Sequence, residues 1–457
     1  MSCLRGFGLP IGYTTRPTVR PVMTLGLIVT NTIVYLLTSY ENSFLTISSR
    51  WIILGGYIPS MLEALDQLYR LLSSMFLHAD IFHILFNMYF LYIFGRAIEE
   101  ALGKWRFLAL YLASGVLAAL FHTAFSFIGG ASAYTIPAIG ASGAISGILG
   151  AYLILFPGTT LFVGWFFFII PVFFRMRAAY FLIMWFAMQV AYGYAKIGGI
   201  AFFAHAGGFV AGIALLPMFK VRSEGSISRL KLLEELGRLS THVAFTETSR
   251  SIRGLSRGTK IVVALLLTSL LAGAAYASSG LLVEEGLKAI TLHYTFEGAQ
   301  YIDYVGVQKS NIERQLSAIP KSETRILLNR LYAADLLYDE AKAGKELKID
   351  NWHDRVFMSI EKRRVIVDVL MISFTGSYDL DGFLSYGIGE LKTQVVLIGQ
   401  NRVSVTDYMV HYIFEVTSKT VNIENILRIT GLISLITSAL ALLVVLTKDK
   451  ELTLVGE

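Results

Sequence analysis

Eight long apolar runs constrain the fold of this 457-residue chain more than any other feature. Continuous runs of this kind are typical of membrane-spanning helices, and the alternating segments of an outer-membrane barrel do not occur in the sequence. With 54% hydrophobic residues, 16% charged residues and a mean hydropathy of +0.60, the chain is not an ordinary soluble protein. We predict an all-α polytopic membrane protein with spans near 22–40, 81–98, 107–127, 142–156, 178–195, 199–219, 261–281 and 429–447. The shorter run 161–174, broken by Pro171, is predicted to be a re-entrant or interfacial loop.

Basic residues around these spans indicate the orientation of the chain. They precede the first span, separate the second from the third, and follow the fourth, sixth and eighth: Arg5, Arg16, Arg20, Arg96, Lys104, Arg106, Arg175, Arg177, Lys220, Arg222, Arg229, Lys231, Lys448 and Lys450. Because such residues are retained in the cytoplasm, we expect both termini there and the uncharged loop 128–141 on the opposite side. The net charge of +6 is attributed to these flanks, so no nucleic-acid partner is expected. In the absence of a clear organelle signal, we expect a multi-pass protein of a prokaryotic cell membrane.

The spans and the polar stretches between them divide the chain. The expected parts are a cytoplasmic N-terminus (1–21), a six-span core (22–219), a cytoplasmic linker (220–260), a seventh span (261–281), an extracytoplasmic domain (282–427), and an eighth span with a cytoplasmic tail (428–457). The linker carries a short helical pattern at 230–239. The extracytoplasmic domain is long enough for its own core, with helical periodicity at 311–347 and strand-like runs at 365–374 and 394–398. Recruitment of substrates, regulation of access and oligomerisation all remain open as its role.

Ser142 begins a span that is too short to cross the whole bilayer. The run Gly140-Ala141-Ser142-Gly143 opens this span, and Pro157 follows it. About 15 residues cover about 22 Å, roughly 8 Å less than the hydrocarbon thickness. The serine is therefore expected below the membrane surface, at a place that water must reach. The first turn of a helix also has unpaired N–H groups that can stabilise an oxyanion.

His205 lies about 10 Å into the sixth span, which also runs inward from the outer side. Both this span and the fourth carry glycines four residues apart, a pattern that by itself usually indicates only helix packing. Polar groups at membrane depth are costly, however, and the two residues reach similar depths. Together they favour a nucleophile, Ser142, activated by a general base, His205.

Two further polar residues share one face of the second span. His83 and Asn87 are four residues apart, near its outer end, and both can donate hydrogen bonds. Two such side chains are more than helix association requires.

These residues together resemble the rhomboid family of intramembrane serine proteases. The resemblance covers about residues 20–220 and rests on motifs in the family's order: Tyr69-Arg70, His78, the His83/Asn87 pair, Gly95-x-x-x-Glu99-x-x-x-Gly103, Gly140-Ala141-Ser142-Gly143, and His205 with Gly208 and Gly212. It implies a six-helix core, followed here by two extra helices and an extramembrane domain.

The resemblance also implies a role for each matching residue. It implies a catalytic dyad of Ser142 and His205, with His83, Asn87 and the Ser142 backbone N–H holding the oxyanion. It implies structural support from the other motif residues: Arg70, Glu99, Gly140, Gly143 and Gly208. No metal or cofactor is required by this chemistry.

The sequence departs from the family pattern at two motif positions. Tyr69 replaces the usual tryptophan, and Ser146 stands where an aromatic residue often stacks on the catalytic histidine. The orientation of the His205 ring must then depend on other contacts.

The implied substrates are membrane-anchored proteins whose spans unfold locally near their outer ends. Two alternatives remain: an inactive rhomboid-like protein that binds transmembrane helices, and a transporter or channel lined by the same polar residues. The residues below Ser142 in the fourth span are almost all apolar, which argues against a continuous polar path. The oligomeric state is not predicted.

Overall fold

The protein consists of a bundle of apolar helices and a β-rich domain inserted between the last two of them. The computed structural model describes residues 9–13, 20–167, 170–197, 200–219, 221, 254–281, 286–319, 321–360, 363–398 and 403–455. Most of the predicted linker 220–260, including the helical pattern at 230–239, lies outside the described residues, as does most of the N-terminal segment 1–21.

Eight helices of the described chain are apolar, in agreement with the predicted helical membrane fold. The α-helices are α1 (Val22–Ser39), α2 (Ser49–Gly55), α3 (Arg70–Ser73), α4 (Ile81–Leu102), α5 (Lys104–Ala124), α6 (Ser142–Leu155), α7 (Ala178–Tyr194), α8 (Phe202–Leu215), α9 (Arg257–Ser278), α10 (Ile312–Ser317), α11 (Ser322–Ala333), α12 (Ile423–Leu443) and α13 (Asp449–Leu452). Helices α1, α4, α5, α9 and α12 are long and apolar enough to cross a membrane, whereas α6, α7 and α8 are shorter apolar helices. The fold is therefore that of a polytopic membrane protein.

Polar side chains determine where several of these helices begin. The Asp80 side chain accepts a hydrogen bond from the His83 backbone N–H at the start of α4, and Ser256 caps α9 in the same way through Thr259. Gly103, with φ +81°, makes the sharp turn between α4 and α5. The helix starts are thus encoded locally, while the helix positions depend on packing.

The segment predicted as a re-entrant or interfacial loop forms a β-hairpin instead. Strands β2 (Thr160–Phe167) and β3 (Ile170–Arg177) pair antiparallel, and β1 (Leu9–Tyr13) adds to the free edge of β2. The segment is rich in Phe, Val and Trp, which favour strands as readily as they favour apolar environments. The prediction was wrong because an apolar run does not by itself reveal its pairing partner. The partner of β2 is β1, which lies about 150 residues away in the sequence.

The β-rich domain is built on one six-stranded antiparallel sheet. Its strands are β4 (Leu287–Phe296), β5 (Ala299–Gln308), β6 (Glu346–Ile360), β7 (Arg363–Tyr378), β8 (Leu384–Ile398) and β9 (Val403–Val421), in the order β5-β4-β9-β8-β7-β6. Helices α10 and α11 pack on one face and bury an apolar core that includes Leu292, Leu327 and Phe374. The predicted helical pattern at 311–347 is narrower in the structure, since α11 ends at Ala333 and β6 begins at Glu346.

The sheet is docked on the helix bundle at the end where Ser142 lies. The backbone of Gly306 in β5 packs against Ala131 and Thr135, a few residues before the Ser142 motif. Tyr304 of the same strand lies against Tyr69 and Arg70, and burial there raises the pKa of the Tyr304 hydroxyl above its ordinary value although Arg70 opposes the shift. The β-rich domain therefore contacts the loop that joins α1 to α4 and the loop that joins α5 to α6.

At the opposite end of the bundle, the C-terminal segment caps α6. The helix ends at Leu155 before Pro157, which leaves its last carbonyl groups without intrahelical partners. Thr453 Oγ1 donates to the Ile154 carbonyl at 2.8 Å, and the N–H groups of Leu454 and Val455 donate to the Leu155 carbonyl at 2.8 and 3.0 Å. The C-terminal end of the short helix α6 is thus capped by residues that follow the last span.

A buried ion pair fixes this C-terminal segment. Asp449 is 1% exposed in its side chain, accepts a hydrogen bond from the Leu255 N–H at 3.0 Å and pairs with Lys260 of α9 at 2.8 Å. Asp449 is buried whereas the Lys260 side chain is 19% exposed, so the buried carboxylate depends on Lys260 and on the Leu255 N–H for compensation of its charge.

We expect Asp449→Asn to destabilise the protein by about 2 kcal/mol, because it removes the charge-assisted bonds of a buried carboxylate to Lys260 and the Leu255 N–H. The measurement is the thermal unfolding midpoint in detergent micelles. Glu451→Gln is the control, since its pair with Lys448 is solvent-exposed and contributes at most about 1 kcal/mol. Equal midpoints for the two variants would contradict a structural role for Asp449.

Candidate active site

Ser142 and His205 come from different helices and form a hydrogen bond. Ser142 is the first residue of α6, and His205 lies in the first turn of α8. The Ser142 Oγ and the His205 Nε2 are 2.8 Å apart, and both side chains are half-buried. Such a pair can transfer the hydroxyl proton to the imidazole and so activate the serine oxygen.

Glycines bring the two helices close enough for this bond. A Cβ added to Gly208 of α8 would collide with the carbonyl of Gly143 in α6, and one added to Gly212 would collide with the carbonyl of Gly147. The two backbones therefore touch along one seam, as small residues permit in membrane helices. The distance between Ser142 and His205 follows from this contact rather than from the two side chains alone.

His83 lies beside the serine with a defined tautomer. The Ala79 N–H donates to His83 Nδ1 at 3.3 Å, so Nδ1 is an acceptor and the neutral ring carries its proton on Nε2. The Nε2 edge is next to Gly140, where an added Cβ would lie 2.7 Å from Nε2 and 3.6 Å from Ser142 Oγ. Gly140 has φ +121°, which also favours glycine. His83 therefore directs an N–H donor towards the region of the serine.

Asn87 lies one helical turn below His83 and is buried. Its Nδ2 donates to the His83 carbonyl at 2.9 Å, which uses one of the two amide hydrogens. Its role as a second oxyanion donor remains a prediction.

Sequence reasoning missed Gln189, which contacts the second nitrogen of the histidine. Gln189 Oε1 of α7 lies 2.9 Å from His205 Nδ1, and the ring of Trp185, one turn earlier in α7, lies 6.2 Å from the imidazole ring. Ser146, which stands where an aromatic was expected, donates to the Ser142 carbonyl at 2.6 Å. A signal was present in the sequence, because Gln189 is an isolated amide in an otherwise apolar span.

Arg70 and Glu99 make contacts remote from the serine. Arg70 Nη1 donates to the carbonyls of Ile53 and Gly56, within the loop that joins α1 to α4. Glu99 accepts hydrogen bonds from the backbone N–H groups of Met23 and Thr24 at 2.8 and 2.7 Å, so it caps the start of α1 from another helix. These contacts link separate segments of the bundle.

The chemistry available at the site is that of acyl transfer. A hydroxyl at a helix N-terminus is hydrogen-bonded to an imidazole, and the ring nitrogen of His83 lies next to Gly140, two residues before this serine. Within the described part of the chain, His, Cys, Asp and Glu side chains do not form a cluster of three or more that could hold a metal ion.

Comparison with known proteins finds similarity to the rhomboid family. The rhomboid domain model matches residues 65–221. The chain is 31% identical over 172 residues to RHOMBOID-like protein 1 of Arabidopsis thaliana, which is 37% of this chain and 39% of that protein. It is 33% identical over 140 residues to Rhomboid protease AarA of Providencia stuartii, which is 29% of this chain and 50% of that protein. It is 30% identical over 209 residues to RHOMBOID-like protein 12, mitochondrial, of Arabidopsis thaliana, which is 43% of this chain and 58% of that protein. The chain thus spans less than two thirds of the length of each of these relatives.

We expect Gly208→Ala to destabilise the protein by about 1–3 kcal/mol, because the new methyl group would force α8 away from the Gly143 carbonyl. Gly26→Ala in α1 is the matched control, since an added Cβ there meets no atom within 4 Å and alanine favours a helix. Thermal unfolding in detergent measures both. A Gly208→Ala protein as stable as the control would show that the seam between α6 and α8 tolerates a methyl group.

Proposed function

We propose that this chain, whose residues 65–221 match the rhomboid domain model, is an intramembrane serine endopeptidase with Ser142 as nucleophile and His205 as general base. The observation that carries the proposal is the 2.8 Å hydrogen bond between these two side chains at the start of α6. Relatives named as rhomboid proteases support the same class of activity.

In the first half of the reaction, Ser142 attacks the scissile carbonyl of a peptide bond. His205 Nε2 takes the hydroxyl proton while the bond between Oγ and the carbonyl carbon forms. The C–N bond then breaks, and the imidazolium gives its proton to the leaving amine. The product that remains on the protein is an ester of Ser142.

In the second half, water replaces the amine. His205 accepts a proton from the water molecule, the resulting hydroxide attacks the ester carbonyl, and the proton returns to the Ser142 oxygen as it leaves. In both halves the negative carbonyl oxygen is held by the His83 Nε2–H, the Ser142 backbone N–H and the Asn87 amide. The tautomer of His83 supports this assignment, because its proton is on Nε2, the nitrogen next to Gly140 and two residues from Ser142 in the sequence.

The depth of the serine supports membrane-anchored proteins as substrates. Helix α6 has 14 residues, which is about 21 Å and less than the bilayer thickness, so its Ser142 end lies inside the membrane when the other end is at the surface. A substrate span must expose its carbonyl groups there, which favours spans that contain glycine, proline or small polar residues. On this proposal both termini are cytoplasmic, the protein lies in the cell membrane, and the β-rich domain is extracytoplasmic.

The apolar residues of α6 below Ser142 support hydrolysis rather than transport. Every residue of α6 from Ala144 to Leu155 is buried, and apart from Ser146 and the Tyr152 hydroxyl the side chains are apolar. A transport path would need polar groups to continue along this helix.

We expect the wild-type protein in proteoliposomes to cleave a single-span test substrate with a glycine-rich outer segment. Ser142→Ala and His205→Ala should each abolish cleavage, because one removes the attacking oxygen and the other the base. Ser310→Ala and His353→Ala, at exposed positions of the β-rich domain, are the matched controls and should cleave at the wild-type rate.

Other outcomes have separate meanings. Cleavage that survives both substitutions would show that the active site lies elsewhere. A folded wild-type protein that cleaves none of several unstable spans, yet binds them, would be an inactive rhomboid-like protein instead.

The oxyanion assignment gives a further expectation. His83→Ala and Asn87→Ala should each lower kcat by about 10²-fold with little change in KM, because the donors act on charge that develops only in the transition state. Steady-state cleavage in detergent measures this, with unfolding midpoints to confirm that the variants are folded. A kcat equal to wild type in either variant would remove that residue from the oxyanion site.

A further inference from the structure

Gln189 is the one side chain described at the Nδ1 edge of the His205 ring. Its Oε1 lies 2.9 Å from Nδ1, and the residue is 7% exposed. An amide oxygen can only accept a hydrogen bond, so Nδ1 must carry the proton of the neutral ring. Nε2 is then the unprotonated nitrogen, and it is the atom that faces the Ser142 hydroxyl.

The orientation of the amide is itself fixed by α7. Gln189 Nε2 donates to the Trp185 carbonyl one turn earlier, at 3.5 Å. A carbonyl cannot donate, so the NH₂ group turns towards it and the Oε1 turns towards His205. With the amide reversed, its NH₂ would donate to Nδ1 and place the ring proton on Nε2, where it could not accept from Ser142.

On the premise of the proposed protease function, we propose that Gln189 is the positioning residue of the site, which selects the base-competent tautomer of His205 in place of a carboxylate. An ionised carboxylate at this depth would cost several kcal/mol of desolvation, whereas a neutral amide accepts the same hydrogen bond at much lower cost. The imidazolium that forms during catalysis then lacks a countercharge from this position.

Ser146 does not supply a ring beside His205, since its hydroxyl donates to the Ser142 carbonyl at 2.6 Å. The ring of His205 is instead bounded by α7, through Trp185 beside it and Gln189 at its edge. The stacking of Phe186 on Phe209, at 4.5 Å, holds α7 against α8.

Two variants of Gln189 separate positioning from a merely structural role. Gln189→Met has a similar shape but no acceptor, so the tautomers should mix and kcat should fall at least about tenfold with KM unchanged.

Gln189→Glu keeps an acceptor and adds a charge that favours the imidazolium. The acidic limb of its kcat/KM profile should move to higher pH by about one unit or more, because the base is protonated at higher pH. The other titratable groups that act on the His205 ring are His83 and His122, which both variants retain.

Met184→Leu, at an exposed position of the same helix, is the control and should match wild type. Folded Met and Glu variants with wild-type kcat and an unmoved acidic limb would overturn the proposal. A similar loss of unfolding stability in both Gln189 variants, with no change in the pH profile, would also overturn the proposal.

A second measurement does not depend on activity. In ¹⁵N-histidine NMR spectra, with His205 assigned by comparison with His205→Ala, wild type should show the Nδ1-protonated ring and Gln189→Met a mixture of tautomers. The same tautomer in both proteins would refute the positioning role. If wild type fails to cleave but the NMR difference is present, the protease function fails and the role of Gln189 in selecting the tautomer stands.

Discussion

The close contact between α6 and α8 is the interaction on which the site depends. Glycines on both helices place backbone against backbone, so that neither helix can shift by even a methyl group without a clash. A hydrogen bond between serine and histidine contributes only about 1 kcal/mol and could not hold two helices in register. The seam holds them, and the 2.8 Å contact between Ser142 and His205 is its consequence. The same contact explains why a glycine occurs at 147.

A short helix inside a membrane needs partners for both of its ends, and this chain supplies them from distant segments. At the Ser142 end, the Gly140 N–H donates to the Ser74 carbonyl, and the Tyr57 and Ala138 backbones pair in an isolated bridge. At the other end, the segment after the eighth span caps the last carbonyl groups of α6. Unsatisfied backbone groups in hydrocarbon cost several kcal/mol each. The position of α6 in the bundle is therefore fixed by loops and by the C-terminal segment together.

Much of the membrane fold could be predicted from the sequence, because long apolar runs are local signals. The near-equal depth of Ser142 and His205 likewise followed from their distances to the span ends. The hairpin of β2 and β3 was missed because its apolar residues suit a strand and a membrane equally well, and its pairing with β1 is long-range. Gln189 was missed for a different reason. Its isolated position in an apolar span was visible, but its partner depends on the rotation of α7 about its axis, which packing sets.

The structural unit is larger than the part of the chain that resembles the rhomboid family. The family match ends at residue 221, yet α12 packs on α5 and α8, and the Tyr194 hydroxyl of α7 donates to the Ser269 carbonyl of α9 at 2.8 Å. Helix α7 carries Gln189, so a helix outside the matched region helps to hold the residue that contacts His205. Tyr304 of the β-rich domain contacts the loop that joins α1 to α4, and Gly306 contacts the loop that joins α5 to α6. The sheet therefore contacts Arg70 and the segment that leads to Ser142. These contacts help to position both parts of the bundle.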